Sequence, residues 1–220
     1  MYEFKPFKYS SHEKIISLTP RNTKVLDVGC ASGYIAFRLK KKGCYVVGTD
    51  IDKKYLEEAK KYCDEVFLLD ISKDKIKGKF DVIILGDIIE HIANSGGVLE
   101  KLRNNLNENG RIIVSVPNIV NIYPRIKILF GRFDYEEKGI FDKTHLRFFT
   151  IKTLKRLIKN KKYQITSMHF TPLPIYLILP NAPKTILNLL SSLLNLLANF
   201  WPNLFAYQII IKANKLKNEN

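Results

Sequence analysis

Short apolar runs alternate along this chain with stretches whose apolar residues recur every three or four positions. Runs at 24–29, 44–49 ("CYVVGT"), 65–69 ("EVFLL"), 80–85 (within "FDVIILG"), 111–116 ("RIIVSV") and 163–170 predict strands. The run at 80–85 has almost no polar interruption, the mark of a strand covered on both faces. Between the runs, helical spacing predicts helices at 10–18, 33–42 (ended by Gly43), 53–62, 96–108 (closing at "NENG"), 150–160 and 184–199. Strand–helix alternation with near-continuous apolar strands predicts an α/β fold: a doubly wound, mostly parallel sheet with helices on both faces. The sequence shows neither an internal repeat nor a low-complexity linker.

In such a sheet ligands lie beyond the carboxyl ends of the strands, so residues that follow strands carry the chemistry. Asp50 ends the second run, Asp70 the third, and Asp87 follows the fourth. The first run leads into "DVGCASG", where Gly29, Ala31 and Gly33 let backbone come close to a ligand. A dinucleotide fingerprint would need glycines at 31 and 34, where Ala31 and Tyr34 stand. Asp27 also sets a carboxylate beside the loop, repelling a pyrophosphate and attracting a ligand that carries an ammonium and a sulfonium, as S-adenosyl-L-methionine does. Asp50 is spaced to accept from a ribose diol. Asp70 is placed to accept from an adenine amine, with the Ile71 N–H addressing the ring. Each acid also has a plain structural use, since short acids cap helices and close turns.

Length and charge narrow the setting. The chain has 220 residues, which suits a single domain over 1–220, and a formal net charge of +15, which favours anionic partners: nucleic acid, an acidic membrane surface or a phosphorylated substrate. Most of the cations are lysines spread along the chain, so a general solvated basic surface is the competing reading. Three cysteines without a C-x-x-C pair argue against a disulfide framework and for a reducing compartment. The N-terminal "MYEFKPFKYS" has charges where a secretory leader needs an apolar run, so a cytoplasmic location is expected.

The ordered set "VLDVGCASG", "VVGTDID", "FLLDI", "FDVIILGDIIEHI" and "NGRIIVSVPN", spanning roughly residues 20 to 170, resembles the class I S-adenosylmethionine-dependent methyltransferases. The resemblance implies a Rossmann-like, seven-stranded sheet whose last strand, supplied by "LFAYQIIIKA" (204–213), is antiparallel. It implies cofactor contacts from Asp27, Gly29, Gly33, Asp50 and Asp70, and Ala31, which departs from the commonest form of the first motif but is small, with Ile51, Ile71 and Gly86, completes the candidate cofactor set. Asp87, Glu90 and His91 form D-x-x-E-H, similar to the E-x-x-E-H of small-RNA 2′-O-methyltransferases and ubiquinone-pathway O-methyltransferases, where those positions hold magnesium. His145, in "FDKTHLRFFT", resembles the later histidine that completes the small-RNA enzymes' site.

Three uses of this constellation stay open on sequence. His91, with His145, takes the acceptor's proton as a metal-free base. Alternatively Asp87, Glu90, His91 and His145 hold Mg2+, although magnesium prefers oxygen. Or Glu90 and His91 simply order a loop over the cofactor. The charged, aromatic segment 117–149 reads as a substrate-facing excursion, and its likeness to methyltransferases of polysaccharide and glycolipid assembly points to a hydroxyl on a sugar, glycolipid or similar polar acceptor. An apolar insertion, 171–203, precedes the last strand. Its helix 184–199 is too short to span a bilayer, and fits an interfacial membrane contact at the inner face, a homodimer contact, a lid over a lipid-like acceptor, or packing on the domain itself.

Rival functions are a nicotinamide-dependent reductase, for which Tyr123 and Lys127 offer Tyr-x-x-x-Lys around an awkward Pro124, and a non-catalytic cofactor-binding scaffold. RNA remains an open substrate class given the charge.

Overall fold

The structure is a computed structural model that describes residues 7–216. The apolar runs form strands β1 (Lys24–Val28), β2 (Tyr45–Asp50), β3 (Glu65–Leu68), β4 (Phe80–Gly86), β5 (Leu106–Pro117), β6 (Tyr163–Thr171) and β7 (Gln208–Lys215). They join in one sheet of order β3-β2-β1-β4-β5-β7-β6. Neighbouring strands from β3 to β5 are parallel, and β7 runs antiparallel to both β5 and β6.

The helices are α1 (Ser11–Leu18), α2 (Tyr34–Lys40), α3 (Lys53–Ala59), α4 (Ser95–Arg103), α5 (Ile122–Leu129), α6 (Ile151–Asn160), α7 (Ile175–Ile178), α8 (Lys184–Phe200) and α9 (Pro202–Phe205). Side chains that alternate along the central strands divide between two cores. Leu26, Ile83, Leu85, Ile112 and Val114 pack with Leu99 and Leu102 of α4 and with Leu154 and Ile158 of α6. Val25, Val82, Ile84 and Ile113 pack with Ile15 of α1 and with Ile35 and Leu39 of α2. This is the two-sided burial that the unbroken apolar run of β4 requires. Helix starts are fixed locally: Ser10, Asp52, Asn94 and Asn121 accept from backbone N–H groups, and Thr150 and Thr153 form a capping box.

Two elements differ from the sequence expectation. "NENG" does not close a helix. α4 ends at Arg103 and β5 starts at Leu106, opposite Phe80, before its register jumps to pair Arg111 with Val82. The turn-like residues are absorbed in that jump, where a side chain on Gly110 would strike Asn107 backbone oxygen at 2.9 Å. In "LFAYQIIIKA" the first residues belong to α9, and the strand starts at Gln208.

The topology reverses between β1 and β4, which opens a crevice beyond their carboxyl ends. The loops after β1, β2 and β4 lie at that end of the sheet. No helix among the described residues is long and apolar enough to cross a membrane.

Candidate active site

The loop after β1 is held in a strained path. Gly29, Ala31 and Gly33 have φ of 70°, 45° and 78°, the left-handed region that costs a residue with a Cβ most. The Gly29 and Cys30 amides donate to Thr49 O at 2.7 and 3.0 Å, and the Ala31 amide donates to Asp50 Oδ2 at 2.9 Å. A side chain on Gly29 would meet Ile88 Cδ1 at 2.1 Å, so glycine is what lets the loop lie against the segment after β4.

Asp27 lies near the end of β1, beside the loop as expected, but is only 2% exposed, and its Oδ2 has no hydrogen-bond partner among the described residues. Burial first, and the Asp50 carboxylate second, raise its pKa from the ordinary 3.8 to about 7. The fixed negative charge expected from the sequence is therefore a group balanced between its two protonation states, which an approaching ammonium would drive to the ionised form.

Asp50 ends β2. Besides the Ala31 amide it accepts from the Asp52 N–H at 2.9 Å. Its carboxylate thus shapes the loop, and each oxygen keeps acceptor capacity for a diol. Ile51, beside it, is 74% exposed and offers an apolar platform. Asp70 accepts from the Ser72 amide at 2.9 Å and the Ser72 hydroxyl at 2.5 Å, bonds that hold its pKa below the usual carboxylate value. Ile71 is buried and its carbonyl accepts from Lys101. Gly86, at the end of β4, has Ile15 Cδ1 3.4 Å from where a side chain would start. A buried acid with an open oxygen, small residues in a tight loop and an exposed apolar side chain beside Asp50 together fit a nucleoside with a cationic tail. Sequence reasoning passed over His12, which is buried on α1 and stacks on Tyr34, the first residue of α2, with ring centroids 4.6 Å apart.

After β4 the chain turns through Asp87 (φ 56°) into a 3₁₀ turn, Ile89–His91. Segment 142–147 is stitched to this turn. The Leu146 and Arg147 amides donate to Glu90 O at 2.9 and 3.0 Å, and Arg147 Nε donates to Ala93 O at 2.6 Å. The stitching brings Glu90, His91 and His145 together, with a ligand atom of each within 4.8 Å of the others. Glu90 is 1% exposed, and the two imidazoles meet edge to face at 4.8 Å.

Hydrogen bonding fixes both tautomers. His145 Nδ1 lies 3.0 Å from Ile140 O, which only accepts, so this nitrogen carries the proton. The Thr144 hydroxyl donates to Asp142 Oδ1, so His91 Nδ1 donates to Thr144, through Oγ1 at 3.0 Å or the carbonyl at 3.2 Å. Nε2 of each ring is left as a lone-pair donor. Burial holds the His145 pKa below its ordinary value and keeps that lone pair available near neutrality.

Asp87 does not join this trio. Its carboxylate accepts from Ser115 Oγ and Gln208 Nε2, both at 2.6 Å, and so ties the turn to β5 and β7. The Tyr-x-x-x-Lys pair is also spoken for: Tyr123 Oη and Lys127 Nζ both donate to Glu136 Oε1 at 2.7 Å. Pro124 lies in the first turn of α5, where no helical N–H is lost. Aromatic rings continue from His145 through Phe148. Phe148 lies at 6.1 Å, and Phe133 packs edge-on against Phe141 and Phe148 at 5.0 and 5.7 Å.

Comparison with known proteins identifies the family and the fold. Residues 10–168 match the family described as "Methyltransferase domain". The ubiquinone biosynthesis O-methyltransferase of Pelagibacter ubique is 31% identical over 122 residues, 52% of this chain and 48% of that protein. Its Bradyrhizobium diazoefficiens counterpart is 27% identical over 101 residues, 43% of this chain and 40% of the relative. The chain thus spans about half the length of the curated relatives it matches. Among solved structures, a SAM-dependent methyltransferase from Archaeoglobus fulgidus superposes with a TM-score of 0.62 at 18% identity, over 93% of this chain and 95% of that one. The magnesium protoporphyrin IX methyltransferase of Synechocystis, solved with SAH bound, has the same fold with a TM-score of 0.62 at 16% identity, over 93% and 82%.

Proposed function

The chain belongs to the methyltransferase-domain family, as a class I S-adenosylmethionine-dependent methyltransferase, and on that premise we propose that it methylates a hydroxyl oxygen on an apolar, ring-bearing acceptor. The observation that carries the reading is the convergence of Glu90, His91 and His145 beyond the carboxyl end of β4, with both imidazole Nε2 atoms free to act.

The sulfonium of the cofactor is already a good leaving group, so this chain has to align the acceptor and take its proton. In this reading Asp27 holds the ammonium of the methionine end, while Asp50 and Asp70 hold the nucleoside, with Ile51 and Ile71 against the base and Gly86 closing the methionine side. His91 Nε2 accepts the hydroxyl proton as oxygen attacks the methyl carbon. The bond from Nδ1 to Thr144, backed by Asp142, steadies the imidazolium that results. His145 stands beside it as the second acceptor and orients the hydroxyl.

The trio also suits a divalent metal, and Glu90, His91 and His145 would hold it. Bound there, an ion would make the acceptor hydroxyl more acidic. Two imidazoles and one carboxylate favour manganese, iron or zinc over magnesium, which prefers oxygen. Dialysis against chelator followed by addition of single metals separates the two routes: activity indifferent to chelator supports the metal-free base.

The acceptor class rests on the aromatic rings beside His145 and on the relatives, which are named for O-methylation in ubiquinone biosynthesis. Rings stack on a flat acceptor better than on a sugar. The exposed leucines of α8 and the basic surface support a peripheral membrane contact where a lipid-tailed acceptor resides. Incubation with methyl-labelled cofactor and host extract is expected to place label in the lipid fraction, with His91→Ala lowering turnover by about 100-fold or more. Label in saccharide or RNA would reject this acceptor class, and full activity in His91→Ala would reject the base.

A further inference from the structure

Of the three cysteines, Cys44 is buried beside Thr23 and Pro20, and its sulfur donates to the Pro20 carbonyl. The other two meet at the cofactor loop. Cys30 lies between Gly29 and Ala31, and Cys63 follows the end of α3. Between them β2 has Gly48, where a side chain would lie 2.8 Å from Cys30 Sγ and 2.9 Å from Cys63 Sγ. Only a residue without a side chain leaves the gap that both sulfurs share. Cys30 and Cys63 also pack in one small cluster with Leu56 and Ala59 of α3. Exposure divides their roles: Cys30 is 2% exposed, whereas Cys63 is half-buried. The Cys30 thiol donates to the Ala31 carbonyl at 3.7 Å, and the neighbouring Cys63 thiol, together with burial, pushes the Cys30 pKa up, so the inner sulfur is protonated and protected at rest.

We propose that Cys30 and Cys63 form a redox-modifiable dithiol that converts to a disulfide in the presence of a peroxide and thereby weakens cofactor binding. In the first step the Cys63 thiol gives up its proton and its sulfur attacks a peroxide oxygen. The O–O bond breaks, a sulfenic acid forms on Cys63, and, for hydrogen peroxide, the hydroxide that leaves takes up the thiol's proton and departs as water. In the second step Cys30 sulfur attacks the sulfenyl sulfur. The S–S bond forms, the S–OH bond breaks, and the hydroxide leaves as water with the Cys30 proton. Two thiols are oxidised by two electrons in all, and one peroxide is reduced to two waters.

The new bond would draw Cys30 toward the segment after α3. The neighbouring Ala31 is the residue that donates its amide to Asp50 from a left-handed conformation. Little slack exists on the α3 side, because a side chain on Gly33 would already lie 3.1 Å from Ala59 Cα. Bridging therefore pulls the Ala31 amide away from Asp50 and distorts the cradle. Linkage makes the effect reciprocal, so bound cofactor opposes the bond by the same factor that the bond opposes the cofactor.

The test uses the whole protein and needs no acceptor. Hydrogen peroxide is expected to reduce the titratable thiols from three to one. Peptide mapping should join Cys30 to Cys63. Calorimetry should show S-adenosylmethionine bound about tenfold more weakly, restored by dithiothreitol. Cys63→Ser should keep the reduced protein's affinity and lose its response to peroxide, with Cys44→Ser as the control that responds normally. Three thiols surviving peroxide, irreversible oxidation of Cys63 without a bridge, or a bridge that leaves affinity unchanged would each overturn the proposal. These readouts are independent of the acceptor, so their failure is distinct from failure of the O-methylation reading.

Discussion

A carboxyl group sealed inside a sheet must be neutralised either by a proton or by a counter-charge. Asp27 is at that balance, with burial and Asp50 raising its pKa to about 7. Because the native value lies above the unfolded one, the unfolded chain gives up its proton first. Stability from this group is therefore present below about pH 4 and is lost as pH rises toward 7. Cofactor binding has the opposite slope, since an ammonium pairs with the ionised form. Affinity for S-adenosylmethionine is expected to increase as pH rises through 7 and then level off. Asp27→Asn should bind about tenfold or more weakly with no such slope, and without cofactor should be at least as stable as the wild type at alkaline pH. Calorimetry and thermal melts across this range check both, and a flat wild-type profile would refute the assignment. An acid in the first strand beside a glycine loop is legible in the sequence, but its burial is not, because burial depends on strands far away in the chain. Asp87 shows the same limit more sharply. Its partners Ser115 and Gln208 stand 28 and 121 positions away, so a residue that reads as a ligand turns out to anchor the turn.

Among the elements, α8 divides what the sequence shows as one apolar stripe. Leu187, Leu190, Leu194 and Leu197 are half-buried, Ala198 is fully buried, and the helix packs against β6. Ile186, Leu189, Leu193, Leu196 and Phe200 recur at steps of three and four on the exposed side, followed by Trp201. The two faces should answer differently to substitution. Leu194→Ala is expected to cost about 2 kcal/mol of stability, because it removes packing. Leu193→Glu should leave the melting temperature nearly unchanged and abolish binding to vesicles of anionic lipid, measured by co-sedimentation. Vesicle binding that survives Leu193→Glu would remove α8 from the proposed membrane contact. Periodicity made this helix visible, as continuous hydrophobicity did β4, since both signals are local. "NENG" misled because its residues favour a turn, whereas here they form the bulge in a strand whose continuation is set by pairing with β4.

At the scale of the whole molecule, the strand–helix alternation was enough to predict a doubly wound sheet, and the ordered motifs implied its antiparallel member. Register and the neighbours of β7 could not be read, because β7 joins partners that come earlier in the chain. That placement has a consequence for how the protein is made. During translation β5 leaves the ribosome long before β7, and β6 has no place in the sheet until β7 arrives between them. The nascent chain must therefore keep two unpaired strand edges, together with the leucine-rich α8, from sticking to other chains until β7 has been made. Chains arrested before residue 208 are expected to be cut rapidly by protease within 163–171, whereas chains that extend past 215 with enough tether to clear the exit tunnel should resist. Equal protection of the two would show that β6 finds its place without the strand that separates it from β5.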